Sequence, residues 1–395
     1  MEGLEVIDDW ARFDALEADW RRLARASPRS NPCIDWEWAS SWVHSFGASV
    51  KPIVIVDRDH GEVRGIAPFV VAGGRYGVRQ LRAVGQAETG SEEPELLVAG
   101  DHGKRFASAT VDQLVGPLTN RWDSIHLSRV STGSPSIGSL IAEFETVGID
   151  VANLEAKPAP VLELNRQFGS VDDFVATRSK NFRRQYRRAT RRAEEAGAKI
   201  VSVDRSSFDA AFDRLVELHE LRVPESRIYD SPERLSFQTD STRAFLESGV
   251  VRLRELQVDG RSLAVLLDIA HHTGFWSFQT GWHPDAAPLS PGMLLTAAAL
   301  EEAIEAKAPF YDFGQGDSEY KWRWSNGQRD LQSIHAFNTT SPRGRALALG
   351  AKGVRTARPV LRVGRQRAAS IVSTGRRAAA SALSSRRTDS NPIAD

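Results

Sequence analysis

Phe275-Trp-Ser-Phe-Gln-Thr-Gly281-Trp-His-Pro-Asp-Ala-Ala-Pro-Leu-Ser290-Pro-Gly-Met-Leu-Leu295 is the stretch on which the reading of this chain turns. The aromatic run Phe275, Trp276 and Phe278 has the character of a buried strand, and it stops at Gly281. After a short loop, Ser290 and Pro291 stand at the N-cap and first position of a helix expected over 293–306. Its apolar residues 293, 297, 300 and 304 share one face. A second strand, Tyr311-Asp-Phe313, follows, and then a polar turn from Gly314 to Lys321. In this αβ unit the small Gly292 leaves the amide N–H groups of the helix start open to an anion. The same Ser-Pro-Gly start also serves as a plain cap, and the local pattern leaves both readings open.

The chain of 395 residues can bury one large or two ordinary cores, and its 41% apolar content excludes global disorder. The formal charge of zero hides an uneven distribution. Residues 343–387 hold twelve Arg or Lys and no acid, which leaves 39 basic against 49 acidic residues in the first 342. That tail is expected to be disordered or a marginal basic helix, with an anionic membrane surface as its partner. A single cysteine, Cys33, excludes intrachain disulfides and a cysteine-rich metal site, and fits a reducing compartment. The first residues lack a signal-peptide core, and no run of eighteen apolar residues occurs, so a cytoplasmic protein with no integral membrane segment is expected. No His, Cys and Asp trio has metal-ligand spacing. The lack of a Walker loop or Gly-x-Gly-x-x-Gly element argues against ATP and NAD enzymes.

Taken in order, the chain opens with an amphipathic helix over 9–25 and a second from Trp36. A hairpin turning at Asp59-His-Gly-Glu follows, then strands at 81–84 and 94–98, a helix over 106–114 and a strand at 124–128. Pro158-Ala-Pro160 interrupts this pattern, and Val161 begins a new unit. A single helix is expected over 172–197, with a Phe174, Phe182, Tyr186 and Ala189 stripe and eight basic residues from Arg178 to Arg192. Such a helix is either a solvated surface or a contact for a polyanion: nucleic acid, CoA phosphates or anionic lipid. Helices over 207–221 and 232–248 lead to three antiparallel strands, the first two joined at Asp259-Gly260. The fold class is α/β with mixed sheets.

Four segments carry a family resemblance: Ser179–Gly197, Val265–Gly281, Leu289–Leu295 and Tyr311–Trp324. Together they resemble GNAT-superfamily acetyltransferases of the BioF2-like or CelD-like group, related to the FemAB-like aminoacyltransferases. The resemblance extends over about residues 5–340. It implies tandem GNAT-like domains, at 1–157 and 158–342, ahead of the basic tail at 343–395. It implies acyl transfer to a small-molecule or saccharide amine, in cell-envelope or exopolysaccharide synthesis, with acetyl-CoA or another acyl-CoA as donor at the second domain. The sequence departs from the superfamily where a Gln/Arg-x-x-Gly-x-Gly/Ala loop would stand, since Gly281 to Gly292 supplies only one usable glycine. FemAB-like relatives take aminoacyl-tRNA, and the basic helix suits that donor too. A non-catalytic scaffold bound to membrane by its tail is the third reading.

Acyl transfer needs a proton acceptor, donors for the oxyanion and close placement of the reactants. Asp317 is the expected base, with Glu319 beside it and His283 as its rival; the same acids equally serve as turn caps pairing with Lys321 or Arg323. Tyr320 is placed to protonate the leaving thiolate. Ser290, Gly292, Met293, Lys321, Arg183 and Arg187 are the expected donor-binding residues. His219 and Arg222 are placed to face the acceptor, His271-His272 to be an exposed hairpin tip, and Cys33 to be a core residue.

Overall fold

Hairpins and one helical crossover build the first half of the chain. β1 (Leu4–Ile7) leads to α1 (Trp10–Asp14), α2 (Glu17–Ala26) and α3 (Trp36–Phe46). The single helix expected over 9–25 is broken because the Leu16 amide turns back onto the Phe13 carbonyl, at 2.9 Å. β2 (Val50–Asp59) and β3 (Glu62–Gly73) meet at His60-Gly61, where φ values of 50° and 82° give the hairpin turn its twist. β4 (Arg79–Ala83), a two-residue β5 (Leu97–Val98), α4 (Gly103–Val115) and β6 (Ser124–Ser131) follow. α5 (Pro135–Thr146) and β7 (Val151–Asn153) complete this half. α5 escaped the sequence reading although Ser134 caps it, accepting from the Ile137 N–H at 3.1 Å with Pro135 next in line.

β8 (Lys157–Glu163) contains the prolines read as an interruption; Pro158 and Pro160 lie opposite Asp330 and Gln328 of the last strand. α6 (Val171–Thr177) and α7 (Lys180–Glu195) replace the one helix expected over 172–197. Arg178 is extended, and the Ser179 hydroxyl starts a fresh helix by accepting from the Phe182 N–H at 3.2 Å. Next come β9 (Lys199–Ser202), α8 (Phe208–Arg222), α9 (Pro232–Glu247), β10 (Val251–Val258), β11 (Arg261–His271) and β12 (Gly274–Trp282). α10 (Pro291–Glu305), β13 (Phe310–Asp312), α11 (Glu319–Trp324) and β14 (Gly327–Phe337) follow. Glu319–Trp324 is helical rather than the end of a polar turn.

The computed structural model describes residues 3–351 apart from 87, 88, 90, 91, 154 and 155. One unit ends at Asn338; a second starts at Thr339 and is helical over 342–351. The rest of the basic tail, with the membrane contact expected of it, lies outside the described residues. Among the described residues no helix is long and apolar enough to cross a membrane, and no group of three metal-ligating side chains occurs.

The main sheet runs β1-β2-β3-β4-β6-β14-β8-β13-β12-β11-β10-β9. The same device appears twice in it: antiparallel hairpin strands, then a helix, then a strand parallel to the last of them. β4 and β6 form that parallel pair around α4, and β12 and β13 around α10. β14 enters between β6 and β8, so the sheet is continuous across both halves. Three cores hold it. One lies under α4 and α5, one under α6, α7 and α10, and one joins α1–α3 to α8 and α9 on the opposite face. In the last, the Trp38 ring meets Phe237 edge-on at 4.7 Å.

The core under α5 contains a carboxyl group with a measurable consequence. Glu95 is 4% exposed and accepts from the Ser134 hydroxyl at 2.7 Å and from the Ser136 hydroxyl. Burial raises its pKa from 4.5 to about 7; the serine hydroxyls and Arg29 oppose the rise and Glu93 adds to it. The folded state therefore holds the proton more tightly than the unfolded chain. That stabilisation is complete below the unfolded value and is lost as pH rises through about 7. Glu95→Gln, which keeps the shape without the charge, is expected to gain up to about 3 kcal/mol on wild type between about pH 4 and about pH 8. Urea titrations at the two pH values check this; parallel stability curves would rule it out.

Candidate functional site

The start of α10 departs from the cap that its sequence suggests. Ser290 is left-handed, with φ 56° and ψ 57°, and its side chain caps nothing. Pro291 has no N–H to give, and the Met293 and Leu294 amides fold back on the Ser290 carbonyl at 2.9 and 3.3 Å. The Gly292 N–H finds no acceptor among the described residues, and a Cβ at 292 would meet nothing within 4 Å. A free amide at the positive end of a 15-residue helix thus faces open space.

That space is a cavity of about 450 Å³ between α7, the start of α10, β11, β12 and α11. Four guanidinium groups line it: Arg188 and Arg192 of α7, Arg222 at the end of α8, and Arg323 of α11. The lining contains no Asp, Glu or His. Among the described residues none of the four arginines makes an ion pair; their partners are neutral. Arg192 donates to the Pro288 carbonyl at 3.0 Å and Arg222 to the Thr280 carbonyl at 3.4 Å. Arg323 donates to Gln185 Oε1 and lies 5.4 Å from the Phe182 ring centre. Buried Leu266, Leu295, Phe313 and Trp324 supply an apolar wall. The cavity is therefore cationic and amphiphilic, with nothing to neutralise it from within.

Of the residues singled out in the sequence, Ser290, Gly292, Met293 and Tyr320 line the cavity. Tyr320 is 42% exposed as a residue, but the cavity wall desolvates its phenol enough to raise it above its usual value of 10, while Arg222 pulls it down. The others stand elsewhere. Lys321 donates to the Gly314 and Gln315 carbonyls, each at 3.0 Å, and so closes the turn before α11. Arg183 donates to the Ala176 and Arg178 carbonyls at the end of α6, and Arg187 points to solvent. Asp317 is exposed, with Oδ1 accepting from Trp322 Nε1 at 2.8 Å, and Glu319 is exposed on the first turn of α11. His283 Nδ1 accepts from the Asp285 N–H at 3.2 Å as the cap of a short 3-10 turn.

His219 holds α8 against β12, with Nδ1 3.1 Å from the Thr280 carbonyl and Nε2 2.9 Å from the Ser226 hydroxyl. Burial lowers its pKa. Of the expected exposed pair, His271 is buried with Nε2 3.2 Å from Asp35 Oδ2, and His272 alone is exposed. Burial drives the Cys33 thiol up to about 12, which makes it a poor nucleophile.

The first half of the chain braces this site. Glu92 Oε1 accepts from the Gln315 N–H at 2.7 Å. Glu93 pairs at 2.6 Å with Arg329, which also pairs with buried Asp312 and lies 4.5 Å from the centre of the Trp276 ring. Against the cavity floor lies a polar cluster that the sequence reading missed. Asp268, fully buried, accepts from the Tyr311 hydroxyl and from Arg254, each at 2.8 Å. One signal for it was visible: Asp268 is the only charged residue between Leu263 and Ala270.

Residues 180–322 match the model of the acetyltransferase (GNAT) domain family. Among solved structures, FemX superposes with a TM-score of 0.56 at 12% identity, over 80% of this chain and 95% of that one. A conserved Bacteroides thetaiotaomicron protein of unknown function gives 0.52 at 12% identity, over 85% and 99% of the two chains. The C-terminal domain of an Agrobacterium fabrum protein described as a lysylphosphatidylglycerol synthetase gives 0.51 at 12%, over 86% and 96%. Likeness at these identities establishes the fold alone. No curated protein sequence matches the chain.

Proposed function

We propose, for a chain whose residues 180–322 match the acetyltransferase (GNAT) domain model, an acyl-CoA-dependent transfer of an acyl group to an amine. The observation that carries this reading is the cavity with four unpaired arginines, a free Gly292 amide and no acid. Such a lining suits a phosphate-bearing carrier, because guanidinium groups and a helix N-terminus both bind phosphate oxygens. It suits an uncharged acyl group better than an aminoacyl one, whose α-ammonium would stand among four cations without a carboxylate partner. In this reading residues 158–342 are the catalytic half, the apolar wall takes the acyl chain, and Tyr320 gives its proton to the thiolate as the C–S bond breaks.

Acetyl-CoA titrated calorimetrically into the full chain is expected to bind saturably. Charge-assisted hydrogen bonds contribute about 1.5–3 kcal/mol each. The double variant Arg188→Ala/Arg192→Ala should therefore weaken binding about 100-fold or more. No saturable binding of acetyl-CoA or longer acyl-CoAs would end the reading.

A second reading, an aminoacyl-tRNA donor, draws on Arg184, Arg187 and Arg191, which are exposed and continue the positive surface of α7 beyond the cavity. Filter binding of charged tRNA at low salt, where phosphate contacts are strongest, separates the two.

A further inference from the structure

The proposed reaction needs a proton acceptor, and the cavity lining has no carboxylate or imidazole to serve as one. One polar path leads out of the cavity into the protein. Ser277 of β12 lines the cavity and sits opposite Asp268 of β11 in the sheet register, so both side chains share the face beneath α10. The Tyr311 hydroxyl of β13 donates to Asp268 Oδ1 at 2.8 Å, and it lies near enough to Ser277 for that side chain to pull its pKa down. Asp268 Oδ2 accepts from Arg254 of β10 at 2.8 Å, and Arg254 in turn pairs with Glu302 of α10. Arg252, the register partner of Asp268, also pairs with Glu302.

We propose that Ser277, Tyr311 and Asp268 form a proton path from the acceptor amine into the protein, with Ser277 touching the substrate and Asp268 acting through the other two. The proposal rests on the acyl-transfer reading above. As the amine nitrogen forms its bond to the acyl carbon, its proton passes to the Ser277 hydroxyl. Ser277 passes its own proton to Tyr311, and Tyr311 passes its own to Asp268. The C–S electron pair leaves on sulfur, which takes the Tyr320 proton. Once product has left, water in the cavity returns both groups to their starting states, so the net change is one proton from nitrogen to sulfur.

The surroundings of Asp268 suit the role. Burial raises its pKa to about 6, and Glu302 adds to the rise, while Arg254 and the Tyr311 hydroxyl restrain it. It is therefore ionised at neutral pH and yet a far better proton acceptor than a solvated aspartate. Arg254 has a second carboxylate partner in Glu302, so neutralising Asp268 leaves no orphaned cation beneath α10.

Two measurements on the full chain test the path. With acetyl-CoA and a small primary amine, Asp268→Asn, Tyr311→Phe and Ser277→Ala should each lower kcat about 100-fold or more. Acetyl-CoA Kd should stay within about threefold of wild type, and the acid limb near pH 6 should vanish in Asp268→Asn. Unchanged rates and an unchanged limb would overturn the proposal. Infrared difference titration needs neither acceptor nor turnover. It should show a carboxyl band titrating near 6 that is absent from Asp268→Asn and displaced in Ser277→Ala. A band indifferent to Ser277→Ala would overturn the path. Failure of acetyl-CoA to bind would retire the donor reading, and the donor-free Ser277→Ala comparison would still decide the path.

Discussion

Alanine at position 281 is expected to destabilise the fold by about 3 kcal/mol, although it adds one methyl group. A Cβ at Gly281 would lie 2.4 Å from the His219 amide nitrogen and 2.6 Å from the Leu218 carbonyl carbon, both backbone atoms of α8. Backbone cannot rotate out of the way as a flexible side chain does, so α8 must move off β12 or the strand must bend. Either movement stretches the His219 contact with the Thr280 carbonyl and carries Arg222 away from the cavity. In denaturant titration the midpoint should fall with the slope unchanged. Gly292→Ala is the matching control, because a methyl there meets open space. It should fold as wild type and weaken acetyl-CoA binding. A wild-type midpoint for Gly281→Ala would mean that α8 and β12 are not in backbone contact.

Tyr320→Phe is expected to lower kcat about 10²–10⁴-fold while donor Kd stays nearly constant. The ring remains to line the cavity, and only the proton for the leaving thiolate is lost. Since desolvation at the cavity wall holds the phenol above its usual value of 10, it stays protonated through the neutral range and its contribution should persist at alkaline pH up to that value. Asp317→Asn and His283→Ala form the comparison. Asp317 is exposed and bonded to Trp322, and His283 caps its own turn, so both variants should keep near-wild-type rates. Steady-state assays with one amine and saturating acetyl-CoA measure all three. A steep loss in Asp317→Asn with an active Tyr320→Phe would move the chemistry to the surface of the turn before α11.

Both predictions rest on contacts between elements distant in sequence, which is where reading the chain ran short. The glycine near the end of β12 was evident from the aromatic run before it. That α8 lies against it and leaves no room for a side chain was not, since residues 218 and 281 are far apart along the chain. The polar turn before α11 stood out for its acids. Yet Asp317 and Glu319 face water because Glu92 and Lys321 hold the turn in another orientation.

By itself, the sequence determined the parts whose cause is local. Hydrophobic period, hairpin turns with left-handed residues, and the strand, helix, strand unit of Phe275 to Phe313 follow from neighbours a few residues apart. So does the apolar stripe of α7. Tertiary structure alone decided which flank of that stripe meets the cavity. Arg188 and Arg192 lie on one side of Phe182 and Ala189, Arg183 and Arg187 on the other, and helical period treats the two flanks alike. The placement of α10 turns the first pair inward and leaves Arg183 to cap α6. Likewise Asp268 becomes a proton acceptor only because β10, β12, β13 and α10 bury it together and supply Arg254, Ser277 and Tyr311. A carboxylate takes its chemistry from its solvation and its neighbours, and both are properties of the assembled fold.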